Sequence, residues 1–180
     1  MTATSAAPAT ASLAERLAAV WDDFDRRLEE VPILRRLAEG TVTIEDYRRL
    51  LFNLRQQVVD GSPWISRAAA SFDIDHFALR TAAISHAQEE HRDYLMIERD
   101  YVAVGGTLEE LRAGRKNIGS EALSGYMFHA ASPPNPVGLL GAMFIIEGLG
   151  AQRAAGWGER AVPIPSASPS GRPRASPPTA

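Results

Sequence analysis

The sequence predicts an all-α, single-domain bundle of about seven helices. Apolar residues recur at three- and four-residue spacing along most of the chain. No stretch alternates with period two for long, and no Asn-Gly hairpin signal occurs. A length of 180 residues, with 45% hydrophobic and 23% charged residues, suits one globular unit rather than two.

The elements follow in order. Residues 1–11 are mostly Ala, Thr, Ser and Pro without apolar periodicity, and are expected to be a disordered lead. Ser12 with Glu15 three residues on is a capping box. It opens a helix whose Leu13, Leu17, Val20, Trp21, Phe24 and Leu28 share a face. Pro32 opens a short helix that Gly40 closes. Thr43 caps the next, with Ile44, Tyr47, Leu51, Leu54 and Val58 on one side and Gly61 at its end. Ser62-Pro63 starts another, carrying Trp64, Ile65 and Ala68. A long helix is expected from about Asp75 to Val104, stopped by Gly105-Gly106. Thr107 with Glu110 reads as a second capping box. A helix over about Ser120–Ala131 ends before Pro133-Pro134, and a last one runs from Asn135-Pro136 to about Arg160. The helical domain thus spans residues 12–161.

The final stretch, residues 162–180, holds six of the 12 prolines and no aromatic residue. It cannot bury enough apolar area to offset its ordering entropy, so a disordered tail is expected. The change at about residue 161 is abrupt. Only Lys116 among 19 basic residues is lysine, as in GC-rich coding DNA. A natural linker and a frameshifted or truncated end both fit this composition.

Composition excludes several function classes. With 19 basic and 22 acidic residues the net charge is −3, and no basic stripe exists to neutralise phosphates. The chain has no cysteine, which rules out disulfides, thiolate metal sites and cysteine nucleophiles. The apolar run Val137–Ala151 is too short to span a bilayer and contains Glu147. No basic region followed by an apolar core opens the chain, so a cytoplasmic protein without nucleic-acid or membrane partners is expected.

Chemistry concentrates on two helices. The last one is apolar on all sides except at Glu147, which marks it for burial. A buried carboxylate must be paired, protonated or bound to a metal; Arg55 and Arg80 are candidate ion-pair partners. On the long helix, at 100° per residue, Leu79, Ala83, Ile97, Tyr101 and Val104 define a core arc that includes His86, Glu90 and Asp93. His91 and Glu98 fall on its flank. Imidazole and carboxylates one turn apart on facing helices of a bundle are how carboxylate-rich iron or manganese sites are assembled. The expected metal ligands are His86, Glu90, Asp93 and Glu147, with His91 an alternative imidazole. His76 is expected at the surface and His129 in a structural role, while Gln56, Gln57 and Asp60 are possible polar neighbours of the site.

At these residues the chain resembles the iron-containing redox enzymes of the haem-oxygenase-like superfamily, the non-haem diiron oxidases and oxygenases. The resemblance is carried by HAQEEHRDYLMIERDYVAVGG (residues 86–106) and GAMFIIEGLGAQRA (residues 141–154), and covers about Asp46–Arg160. It implies a haem-oxygenase-like bundle in which Glu90 and Glu147 are carboxylate ligands of two helices. It also implies two non-haem irons, with manganese as an alternative and no haem. An oxidoreductase would then use O2 on a small apolar or amphipathic substrate. Asp93 stands where many relatives have histidine. A further helix bearing His, acid and His at one-turn spacing has no counterpart after Arg160, so the bundle reads as C-terminally incomplete. An apolar stripe left uncovered would favour a homodimer or other self-association. The alternative function is a non-catalytic, degenerate or partner-binding helical protein whose buried acids are ion pairs.

Overall fold

Ser12 accepts from the Glu15 amide while the Glu15 carboxylate accepts from the Ser12 amide, so the capping box opens helix α1, Leu13–Leu28. Helix α2, Pro32–Glu39, starts on its proline and ends at Gly40, which is left-handed at φ 67°. Thr43 and Asp46 form a second box at the head of α3, Ile44–Val58. Helix α4, Gly61–Ser71, holds Pro63 in its first turn, where the missing amide costs nothing. After a 3₁₀ turn at Ile74–His76 come α5, Phe77–Glu90, and α6, Tyr94–Ala103. The short α7, Leu108–Ala113, follows, then α8, Ile118–Ala131, and α9, Leu139–Leu149, which continues into a π-helical turn at Gly150–Ala154.

The structure is a computed structural model that describes residues 12–154 and residue 157. Within these residues it is an all-α bundle without a strand. The lead at 1–11, the tail at 162–180 and most of 155–161 lie outside them. No helix among the described residues is long and apolar enough to cross a membrane.

Two apolar clusters hold the bundle. Trp64, Ile65 and Ala68 of α4 and Phe72 at its end pack with Ala87 of α5, Met127 and Ala131 of α8, and Leu139 of α9. Leu51 of α3 packs with Ile97 and Tyr101 of α6 and Leu111 of α7. The two clusters explain the main departure from the expected elements. The long helix is not continuous: His91–Asp93 form a tight turn, with Asp93 bonded back to Glu90 and Met96 to Asp93. Such bonds to the third residue back are 3₁₀-like. No Gly or Pro marks the place. The chain changes partners there, since α5 packs on α4 whereas α6 packs on α3 and α7, and the inward face is redefined. Asp93, which the uniform 100° projection puts on the core arc, is therefore exposed, and Glu98, which it puts on the flank, is buried.

Two further expectations are corrected. Only the first half of the Thr107 box forms, the Thr107 hydroxyl accepting from the Glu110 amide. The last helix begins at Leu139 rather than Asn135, because Asn135 adopts φ 53° and turns the chain. That turn is stapled to the end of α4: Asn135 donates its amide to the Ser71 carbonyl, and its side-chain oxygen accepts from the Asp73 amide. Hydrogen bonds from the Asn135 side chain and then His76 hold Asp73 down at about 2. A carboxyl lowered in the fold stabilises above its unfolded value and loses that contribution as pH falls toward the folded value. Wild type should therefore lose its stability advantage over Asp73→Asn between about pH 4 and pH 2. Denaturant titrations of both proteins at several pH values check this, and parallel curves would reject the staple.

Candidate metal centre

α5 supplies two side chains from successive turns of one face, His86 and Glu90. Ala87, between them, is buried against α4, and its carbonyl accepts from Ser62. This locks the face toward the start of α4, where the Glu90 carboxylate lies over Gly61. α9 supplies Glu147. The Asn135 staple sets the start of α9 beside α4, and Glu147 follows Leu139 by eight residues, about 12 Å along the axis. That distance brings it opposite His86.

One ligand atom each from His86, Glu90 and Glu147 all lie within 4.8 Å of one another. His86 Nε2 is 3.1 Å from Glu147 Oε1. The nitrogen is inaccessible to solvent, yet the contact lacks hydrogen-bond geometry. The two atoms meet without sharing a proton in line. Burial raises the Glu90 carboxyl above its ordinary value, and the neighbouring Asp93 and Glu147 carboxylates raise it further. One imidazole nitrogen and two carboxylates, with no sulfur, form a donor set for Fe(II) or Mn(II). An orphaned buried nitrogen and mutually repelling carboxylates fit a cation among them.

Glu147 itself is less enclosed than an all-apolar helix suggests. Its side chain is 53% exposed, and Leu139 is the one buried residue of α9. Leu140, Phe144 and Ile146 of α9 and Phe77 and Ile84 of α5 are exposed. Among the described residues, α9 is covered by α8 on one side and touched by Trp21 of α1 on another.

The other expected residues lie elsewhere. Asp93 and His91 are exposed on the turn after α5 and do not join the three-residue cluster. Arg55 does not pair with Glu147; it donates to Glu98, as does Arg112. Arg80 donates to the Phe72 carbonyl. Gln56 donates to the Leu111 carbonyl, Gln57 lies 3.5 Å from the Ser124 hydroxyl, and Asp60 pairs with Lys116. Gln56 and Gln57 brace α3 against α7 and α8, and Asp60, at the head of α4, ties to the α7–α8 loop. His76 pairs with Asp73, and His129 is exposed near the end of α8.

The close neighbour that Gly148 calls for in an apolar helix is Trp21 of α1. A Cβ at Gly148 would lie 2.6 Å from the Trp21 ring, whose edge also meets Phe144 at 6.2 Å between centroids. One turn further, Asp25 takes a two-pronged ion pair from Arg153. Helix α1 thus presses on α9 beside Glu147. The signal was the glycine itself, a poor helix former that needs a close neighbour to account for it. Gly148→Ala must displace the ring and should cost about 1–3 kcal/mol of stability, as overpacking does. Thermal unfolding with tryptophan emission reads this; an unchanged midpoint and spectrum would show that Trp21 does not seat there.

No protein-family model matches this chain, and neither the curated proteins nor the solved structures provide a match.

Proposed function

We propose that the chain binds a first-row divalent ion, Fe(II) or Mn(II), through His86, Glu90 and Glu147, and serves as an O2-dependent oxidoreductase on a small apolar or amphipathic substrate. The observation that carries this reading is the convergence of three ligand atoms from two helices within 4.8 Å, one of them a buried nitrogen without an aligned partner. What a bound iron supplies is one-electron redox chemistry toward O2. The protein's part is to hold the donors. Glu90 and Glu147 balance the charge of a divalent ion, and His86 adds a neutral nitrogen. The apolar side chains of α4 and α9 beside His86 limit water on that side. Three donors suit one ion, and the two irons implied by the resemblance would require more.

Anaerobic Fe(II) titration by calorimetry tests the proposal. Saturable uptake of one ion per chain is expected, followed by O2 consumption above that of free Fe(II). Absence of uptake refutes the reading, and uptake of two ions would bring donors beyond the three into the site. A second reading is favoured by Glu98, an acid held wholly in ion pairs in this same fold. If Glu147 and His86 are likewise only a pair, the chain is a non-catalytic helical or partner-binding protein that takes up no metal.

A further inference from the structure

An open groove of about 380 Å³ runs between α5 and α9 over α4. That volume lies within the ~300–1,000 Å³ of small-molecule sites. Its floor is Ile65, Ala68 and Phe72, all buried in the larger cluster. Leu79 and Ala83 form one wall, Leu139 and Met143 the other. The groove is polar at Ser85, His86, Glu89 and Glu147, and neither lysine nor arginine is among its described lining residues.

We infer that this groove binds the hydrocarbon part of an aliphatic primary amine, whose ammonium group is read by the carboxylates of Glu89 and Glu147. The apolar lining supplies affinity for a chain but no preference among head groups. The preference comes from charge. In the metal-free groove, a fatty-acid carboxylate placed beside two glutamates meets repulsion with no lysine or arginine among the described lining residues to relieve it, whereas an ammonium group meets attraction. Glu89 lies outside the three-residue cluster, so it remains available for this role when Glu147 is engaged by a metal. The inference rests on the proposed function only in treating the groove as the approach to that site. Binding itself is measured with metal removed, so that each reading fails separately.

Octylamine, octanoate and octanol are titrated calorimetrically into the full chain treated with EDTA. Octylamine should bind saturably and about tenfold more tightly than octanoate, the size expected when attraction replaces repulsion at a partly exposed rim. Octanol should fall between them. Glu89→Gln should shrink the preference, and Glu89→Lys should reverse it; both changes lie on an exposed side chain and leave the core intact. Ala83→Phe should weaken all three ligands together. Equal or tighter binding of octanoate, or a preference unmoved by Glu89→Lys, overturns the inference. So does an absence of binding, whether the chain is a monomer by light scattering or a dimer that Ala83→Phe dissociates. The dimer result would assign the groove to a second copy of the chain.

Discussion

His86→Ala and Glu147→Ala should each weaken Fe(II) binding by about 100-fold or more. Each removes one of three protein donors, and loss of a mere hydrogen-bonded neighbour of a ligand typically costs 10–100-fold. Glu90→Ala should fall in the same class. Asp93→Ala and His91→Ala are the controls: both side chains are exposed and outside the cluster, so affinity should hold. Stability should respond in the opposite sense. Removing Glu147 relieves its repulsion of Glu90, so the metal-free Glu147→Ala protein should be no less stable than wild type. Calorimetric titration and metal-free melts of the five variants measure both effects. Equal affinity across all five would dismiss the site.

Glu98→Ala should be the most destabilising of the single changes considered, at about 3–5 kcal/mol, the usual cost of leaving a buried charge without its partner. The Glu98 side chain is 4% exposed and accepts from Arg55 and Arg112. Arg55, itself 15% exposed, also lies over the Tyr94 ring and cannot move easily into water. Arg112 is half-exposed and would resolvate, so the penalty belongs mainly to Arg55. A loss of this size is a large part of the 5–15 kcal/mol that a domain has in total. The Arg112 hydrogen bond holds the Glu98 carboxyl below the ordinary glutamate range. Its contribution is complete above that range and is lost as pH falls through the folded value. The gap between wild type and Glu98→Gln should therefore narrow on acidification. Urea melts across the acid range measure it, and a gap independent of pH would mean that Glu98 does not act through its charge.

What could be read from the sequence was what depends on near neighbours. Ser12 with Glu15, Thr43 with Asp46, and Gly40 act within one helical turn, and all three helix ends lie where the local chemistry places them. His86 and Glu147 were legible because each interrupts an apolar face, and an interruption needs a partner. Glu98 was not legible. Its burial is created by Arg55, 43 residues away, and Arg112, 14 residues away, and no periodicity reports either. Asp93 failed for a related reason. A projection at 100° per residue assumes one straight helix, and the turn at His91–Asp93 arises from a change of packing partner rather than from a helix-breaking residue.

Helix α1 contains no buried residue, and among the described residues it meets α9 and the turn after it through the Trp21 ring and the Asp25–Arg153 ion pair. A helix without a buried residue should open at lower free energy than the α4 core, and its amides should exchange with solvent accordingly. Its anchor residues flank Glu147. Any ligand that fixes Glu147 in place must therefore slow the opening of α1, and releasing α1 must loosen that ligand by the same factor, because the coupling between two binding events is reciprocal. The amino-terminal helix, remote in sequence from every candidate donor, becomes the place where occupancy of the centre is reported as a change in hydrogen exchange.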